Sequence, residues 1–398
     1  MELIDENLIS NIMKATYNAI RMCLVLLTAV TLFSCNKDVV TYDKIKKESE
    51  VSTAPPTITS ITKVDRTTNL TEADLSQLVM IQGTNLSGLK SVKFNDVEAD
   101  LKQAYVKTKE IVVPVPRLLP GDVTNKVTVT TALGTATADL KINVPALKVN
   151  GLYNEFALPG DTTTITGDNF DIYKITKEDA KVSFGGTQAT VLSGDQKTLT
   201  IIVPASIPRA EAVVNLVTPE LPDGLKMNYR HLGQIVNIQN KLWAGEQWQT
   251  NGGNLGDPKP INGTFSHIHG VSIGQWGWYD QIHGCNFPVT DADILNHLDQ
   301  YDLKFELNTE KDHPLSQMFI KFSMRFSITY EWNLYDSGES LNTYGNWQTI
   351  TLDAKKVMGQ LYPNNDNFFY FAINPGVPVN LDFSISSMRL VKKEPIVK

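Results

Sequence analysis

Residues 79–101 read VMIQGTNLSGLKSVKFNDVEADL, and residues 163–192 read TTITGDNFDIYKITKEDAKVSFGGTQATVL. Each begins with an alternating apolar run that stops at a glycine, a polar residue and an asparagine: Gly83, Thr84 and Asn85 in the first, Gly167, Asp168 and Asn169 in the second. Each continues into a run carrying Val-x-Phe before a small turn, and later into a third, IVVPVP at 111–116 and IIVPAS at 201–206. Phe94 lies 20 residues before Pro114, and Phe184 lies 20 before Pro204. Period-two patterning with β-branched residues and frequent Gly/Asn punctuation specifies the short strands of β-sandwiches. The two stretches are offset by about 90 residues, too long for a solenoid repeat, so the pattern predicts two tandem domains.

The turn followed by Val-x-Phe and a small residue resembles the IPT/TIG family of immunoglobulin-like domains, over residues 57–145 and again over 146–231. In that family the domain occurs in receptors, surface proteins and transcription factors, so the resemblance implies a fold and no particular chemistry. Neither copy contains a tryptophan, and the first histidine of the chain is His231. Both are read as spacers, with Pro145 marking a junction and Pro208 a turn.

Working back toward the N-terminus, residues 36–56 are polar and charged and carry no period that supports a core, which is the composition of a tether. Before them, Lys14 and Arg21 precede an apolar run from Met22 to Phe33 that ends at Cys35. That run is too short to span a bilayer and has the length of a signal-peptide core, with Met13 as its natural start. Leu32, Phe33, Ser34 and Cys35 resemble a bacterial lipoprotein box, which implies that residues 1–35 are a leader ending in a lipidated Cys35. Asp38, close behind, is similar to the surface-export signals of Bacteroidetes lipoproteins.

Charge and cysteine content remove other classes. The 398 residues carry a net charge of −7. Residues 233–398 hold 12 lysines and arginines against 17 aspartates and glutamates, so the region lacks the basic face that nucleic acid demands. Of the three cysteines, Cys23 lies in the leader and Cys35 at its end, which leaves Cys285 with no partner for an internal bridge. Cys285 is read as a small apolar residue, since His283 beside it is not by itself a positioned base. No phosphate loop, nucleophile elbow or CxxC pair occurs, and no cofactor is expected.

The remaining region, 232–398, has a different composition. All six tryptophans lie here, at 243, 248, 276, 278, 332 and 347. Strand patterns recur in YDLKFELNT, MFIKFSMRFSITYEW, NWQTITLDA, NFFYFAIN and VNLDFSISSMRLV, and TDADILNHLDQY reads as a helix capped by Thr290. The chain is therefore expected to be all-β, with two immunoglobulin-like sandwiches followed by a jelly-roll-like carbohydrate-binding sandwich.

Within that region GQWGWYDQIHG, residues 274–284, crowds Trp276, Trp278 and Tyr279 among glycines, beside Gln275, Asp280 and Gln281. Flat rings bordered by amides and a carboxylate suit a sugar, whose C–H face stacks on the ring while its hydroxyls take hydrogen bonds. Trp243 and Trp248 flank the glycine-rich QWQTNGGNLGD, and Trp332 closes a strand, so these three are candidate site rings as well. Trp347 heads WQTITL and is expected between the sheets. The order of strands is similar to the glycan-binding domain of the surface glycan-binding protein B family of Bacteroidetes. That resemblance implies a lipid-anchored outer-membrane protein of the cell surface that captures a polysaccharide, xyloglucan being the family's best-known ligand. It also implies a starch-utilisation-like system with a TonB-dependent transporter and a second glycan-binding lipoprotein as partners.

Three rival readings compete with this one. A glycoside hydrolase needs two carboxyls at a set separation, and Asp280, Glu331, Asp336 and Glu339 supply candidates but no motif. His267 and His269, one strand face, with His283 would be a zinc set, yet alternate histidines are more often a polar face. An adhesin would use the same rings as a protein hot spot. Binding without catalysis is the expectation.

Overall fold

Gly83 and Gly167 hold the same place in two sandwiches of one topology. In the computed structural model, which describes residues 51–236, 247–271 and 284–393, a Cβ at Gly83 would lie 1.9 Å from the Thr57 carbonyl oxygen, and one at Gly167 2.0 Å from that of Lys148. The first strand of each sandwich therefore crosses so close that only glycine fits. Two residues on, Asn85 (φ 57°) and Asn169 (φ 66°) take the left-handed conformation that asparagine tolerates. The motif marks where the chain leaves one sheet and turns toward the other.

The first sandwich orders Thr57–Thr62, Leu78–Thr84, Glu110–Pro114 and Tyr105–Val106 in one sheet. Its second sheet runs Val97–Glu98, Leu89–Phe94, Lys126–Thr131, Gly134–Asp139. The second sandwich repeats this order, with Lys148–Leu152, Thr162–Asp168, Thr198–Ile202, Thr190–Gly194 facing Thr187–Gln188, Lys181–Phe184, Ala212–Thr218, Leu221–Tyr229. The valine and phenylalanine of each Val-x-Phe, Val92 and Phe94, Val182 and Phe184, point inward and are buried.

The chain divides into two compact units, residues 1–143 and 144–398. The second unit holds both the second sandwich and the C-terminal domain. That domain is itself a sandwich of two antiparallel sheets. One orders Gln247–Thr250, Phe265–Val271, Asn380–Lys392, Tyr301–Thr309, Gln348–Asp353, with Gln234–Ile235 paired beside Asn380–Lys392. The other orders Gly284–Val289, Asn364–Pro375, Met318–Met324, Ser327–Asn333. Leu303, Phe305, Leu307, Phe322, Phe369 and Phe383 are among the residues that fill the space between them.

Alternation predicts that the polar positions of YDLKFELNT face water, and they do not. Lys304, Glu306 and Asn308 are buried, because the second sandwich lies against this face of the sheet. Its segment 153–155 runs along the Gln348–Asp353 edge: Thr349 N–H donates to the Tyr153 carbonyl (2.8 Å) and Glu155 N–H to the Thr349 hydroxyl (2.8 Å). Glu155 then receives Lys304 Nζ and Arg389 Nη2, each at 2.5 Å, while Arg389 Nη1 reaches Glu306 Oε1 at 2.9 Å. Two anions and two cations thus balance in a place from which water is excluded. Burial pushes the Glu306 carboxyl up, and Arg389 pulls against it.

Beside this network lies a second apolar cluster of Phe156, Leu158, Ile261, Phe265 and Trp347. Trp347 is buried as expected, but on the outer side of its sheet and not between the two. Its indole N–H donates to the Lys259 carbonyl (2.8 Å), and its ring meets Phe265 edge-on at 5.3 Å. Phe156 from the second sandwich sits between two guanidinium groups, Arg230 at 5.0 Å and Arg389 at 4.8 Å from its ring centre.

The predicted helix exists as Ala292–Asn296, followed by a 3₁₀ turn Leu298–Gln300. Its cap is Asp291 and not Thr290: Asp291 accepts from the Asp293 N–H at 2.8 Å. Asp291 directly precedes the first helical residue, and its carboxylate is the group that reaches the free amide. Among the described residues, no helix is long and apolar enough to cross a membrane.

Candidate functional site

The run MFIKFSMRFSITYEW is 15 residues long, more than a strand of ordinary length, and the structure folds it into a hairpin. Met324 pairs with Ser327, so Arg325 and Phe326 form a two-residue turn, both left-handed (φ 49° and 67°). Such turns normally use Asn and Gly; a non-glycine residue in this region costs on the order of 1–2 kcal/mol. The strain is held because Arg325 N–H donates to the Phe368 carbonyl (2.7 Å) and its guanidinium lies 4.3 Å over the Tyr362 ring and 3.5 Å from Asp366.

What the strained turn accomplishes is to hold out Phe326, whose residue surface is 73% exposed. Its ring stacks on Phe368 at 4.7 Å and 25°, and Phe368 leads to Tyr370 at 5.9 Å. Three rings therefore run in a row across the outward side of the four-stranded sheet. Exposed Asn286, the register partner of Phe368, sets an amide beside them. Along the neighbouring strand, Ser323 lies opposite Tyr370 and Phe319 sits four residues away, about 13 Å along the sheet. There Phe319 stacks on Tyr335 (6.2 Å, 28°), next to the Lys321–Glu331 ion pair (3.1 Å).

Of the residues expected from sequence, Trp243, Gln275, Trp276, Trp278, Tyr279 and Asp280 lie outside the described residues, as does Cys35. The described chain resumes at Gly284, which pairs with Tyr370, the inner ring of the row. Trp248 pairs with His267 in the other sheet. Trp332 lies opposite Ile320, half-buried, and packs against the core. Phe326, Phe368, Tyr370, Phe319 and Tyr335 were not singled out from sequence. The available cue was the length of the alternating run, which required a turn within it.

The rival chemistries meet specific geometry. Glu331 is paired with Lys321, and Asp336 accepts from the Asn333 amide (2.8 Å). His267 is buried with Nδ1 2.8 Å from Asp257 and Nε2 2.8 Å from Asp382, so both ring nitrogens are engaged by carboxylates. Burial pushes Asp257 up, but hydrogen bonds from Thr250, the Asn254 N–H and His267 outweigh it and hold the carboxyl below its usual range. His269 lies at 6.0 Å from the His267 ring, and His283 is outside the described residues. Among the described residues, no three His, Cys, Asp or Glu side chains are grouped to hold a metal.

Residues 227–391 match the surface glycan-binding protein B xyloglucan binding domain, and residues 151–224 match the IPT/TIG domain. The C-terminal domain is thus of the surface glycan-binding protein B xyloglucan-binding type, and it follows an IPT/TIG domain in the chain. The fold is shared with the surface glycan-binding protein B of Prevotella bryantii at 18% identity, covering 86% of this chain and 100% of that one, with a TM-score of 0.50. A surface glycan-binding protein B from a complex xyloglucan utilization locus in Bacteroides uniformis is 14% identical over 85% of this chain and 99% of that one, TM-score 0.45. One from the Bacteroides ovatus mixed-linkage glucan utilization locus, solved with a mixed-linkage heptasaccharide, is 12% identical over 79% and 72%, TM-score 0.26. No curated protein matches the chain.

Proposed function

We propose that this chain is a non-catalytic polysaccharide-binding protein of the cell surface, whose ligand is a neutral glucan such as xyloglucan or mixed-linkage glucan. The observation that carries the reading is Phe326, held in solvent by a strained turn and stacked in line with Phe368 and Tyr370. Strain of this kind persists where the surrounding structure enforces it, and an exposed ring is what it maintains here. The match of residues 227–391 to a xyloglucan binding domain supports a sugar as the occupant.

In this reading the rings of Trp276, Trp278 and Tyr279, which precede Gly284 in the chain, extend the row, with Gln275 and Asp280 taking sugar hydroxyls. Trp243 and Trp248 are rim candidates, and half-buried Trp332 is the weakest of the set. The chain is anchored through a lipid on Cys35 in the outer membrane, and it hands the captured glycan to a TonB-dependent transporter with a partner lipoprotein. The carboxylates near the rings are held in ion pairs and turns, which supports capture without cleavage.

Affinity electrophoresis against xyloglucan, mixed-linkage glucan and galactomannan tests this. Each stacked ring contributes about 1 kcal/mol, so Phe326→Ala is expected to weaken binding about fivefold and Trp276→Ala with Trp278→Ala about thirtyfold. Retardation by none of these polymers, or retardation equal in all variants, overturns the proposal.

A further inference from the structure

The network that fuses the second sandwich to the C-terminal domain also frames a cleft of about 640 Å³ within that unit. This volume lies inside the roughly 300–1,000 Å³ range of small-molecule sites, which favour domain junctions. One wall comes from the second sandwich, through Asn154, Gly160 and Thr162. The other comes from the C-terminal domain, through Lys259, Asn308 and Asn346, with the largely buried Trp347 at the base between them.

Three asparagines carry the chemistry. Asn154 spends its Oδ1 on the Phe156 N–H (2.8 Å), leaving its amide donors for the cleft. Asn308, only 5% exposed, donates from Nδ2 to the Gly345 carbonyl (2.9 Å), leaving Oδ1 as an acceptor. Asn346 donates to the carbonyls of Thr343 and Tyr344, leaving its own Oδ1 in the same way. Each of these unspent groups can exchange a hydrogen bond with a hydroxyl that enters the cleft. At the mouth, Lys259 and Asp161 stand 3.9 Å apart and cancel, so neither sign of charge dominates. Gly160, left-handed at φ 89°, keeps the entrance free of a side chain on that wall.

Mixed donors and acceptors with no net charge at the mouth match a polyhydroxylated neutral ring. We infer that the cleft between the second sandwich and the C-terminal domain is a second carbohydrate site, taking a di- or trisaccharide unit. The inference rests on the reading of the chain as a glycan binder. It assigns part of the capture to the junction, about which that reading is silent. The second sandwich then supplies sugar contacts of its own, beyond carrying the domain that follows it.

The test uses the full-length chain, titrated calorimetrically with cellotetraose, mannotetraose and a xylogluco-heptasaccharide, with hydrogen exchange followed in parallel. Two binding events are expected, together with slowed exchange over residues 160–164 and 343–347. Thr162→Arg, a change at an exposed position that fills the cleft, is expected to weaken one event at least tenfold and abolish that protection. Asn308→Ala repeats the loss without adding bulk, while Phe326→Ala weakens the other event alone. A single event, weakened by Phe326→Ala and unchanged in both cleft variants, overturns the cleft and leaves the platform standing. Binding of none of the three sugars, together with no retardation by any polymer, overturns both.

Discussion

The two sandwiches share a topology and a glycine-asparagine turn, yet the loop after the first strand is built for opposite purposes. In the first sandwich that loop is KVDRTTN, residues 63–69, and every residue of it is exposed. Asp65 closes it locally by accepting from the N–H groups of Thr67 and Thr68 (2.9 Å each) and the Thr68 hydroxyl (2.7 Å). In the second sandwich the loop is YNEFALPGD, residues 153–161, and Glu155, Phe156, Ala157 and Leu158 are all buried. Its polar groups are satisfied largely by the domain that follows. One framework thus carries either a self-contained tip or half of an interface, and the loop composition decides which.

The largest effect that sharpens this contrast comes from Arg389→Ala. The substitution leaves Glu155 and Glu306 buried without their shared cation, and breaking a buried pair in this way costs about 3–5 kcal/mol. Denaturant unfolding is expected to show the second sandwich and the C-terminal domain losing stability together, in one transition. The transition of the first sandwich, which contributes no residue to the network, stays where it is. A second sandwich that keeps its own midpoint in this variant breaks the comparison, because it then owes nothing to its neighbour.

Gly83→Ala and Gly167→Ala form a matched pair of smaller effect. Each puts a Cβ about 2 Å from a carbonyl oxygen of the first strand, and that strand must move. Gly167→Ala also meets the Phe170 ring at 2.4 Å. Overpacking of this kind costs about 1–3 kcal/mol. In the first sandwich the loss is expected to stay within residues 57–143. In the second, the displaced strand is Lys148–Leu152, which leads directly into the docked loop, so exchange protection of Thr349 should fall as well. Equal and local losses at both positions would show that the loop docks independently of its strand.

These sites also measure how far the sequence could be read. The glycine-asparagine turn, the Val-x-Phe strand and the edges of YDLKFELNT were legible, because local sterics and period two dictate them. The burial of Lys304 and Glu306 was not, since alternation assigns polar residues to water and cannot see another domain covering the face. Trp347 was recognised as buried but placed on the wrong side of its sheet for the same reason. Phe156, Ala157 and Leu158, an apolar run in a turn, were the trace of docking left in the sequence. The Arg325–Phe326 turn left no trace of composition at all. Its ring partners, Phe368 and Tyr370, come from a strand about 40 residues further along the chain, which no local pattern encodes.

The smallest effect concerns acid. The N–H groups of Thr68 and Thr67 and then the Thr68 hydroxyl hold the Asp65 carboxyl down at about 2, below its model-peptide value of 3.8. A depressed carboxylate contributes stability that is fully present above the unfolded pKa and is lost as pH falls through the folded one. The Asp65 latch is therefore intact at pH 4 and above, and it opens as the pH is taken from 3.8 down through about 2. Glu306, beneath the corresponding loop of the second sandwich, is shifted the other way by burial, so its protonation belongs above this interval and removes no such contribution within it. Amide exchange followed from pH 5 to pH 2 should show Thr67 and Thr68 losing protection that Asp65→Asn lacks throughout. Loss at the Glu155 amide over the same interval and to the same degree would mean that acid does not tell the loops apart. The exposed latch and the buried joint would then answer to one titration, and the division of labour between the two sandwiches would have to rest on packing alone.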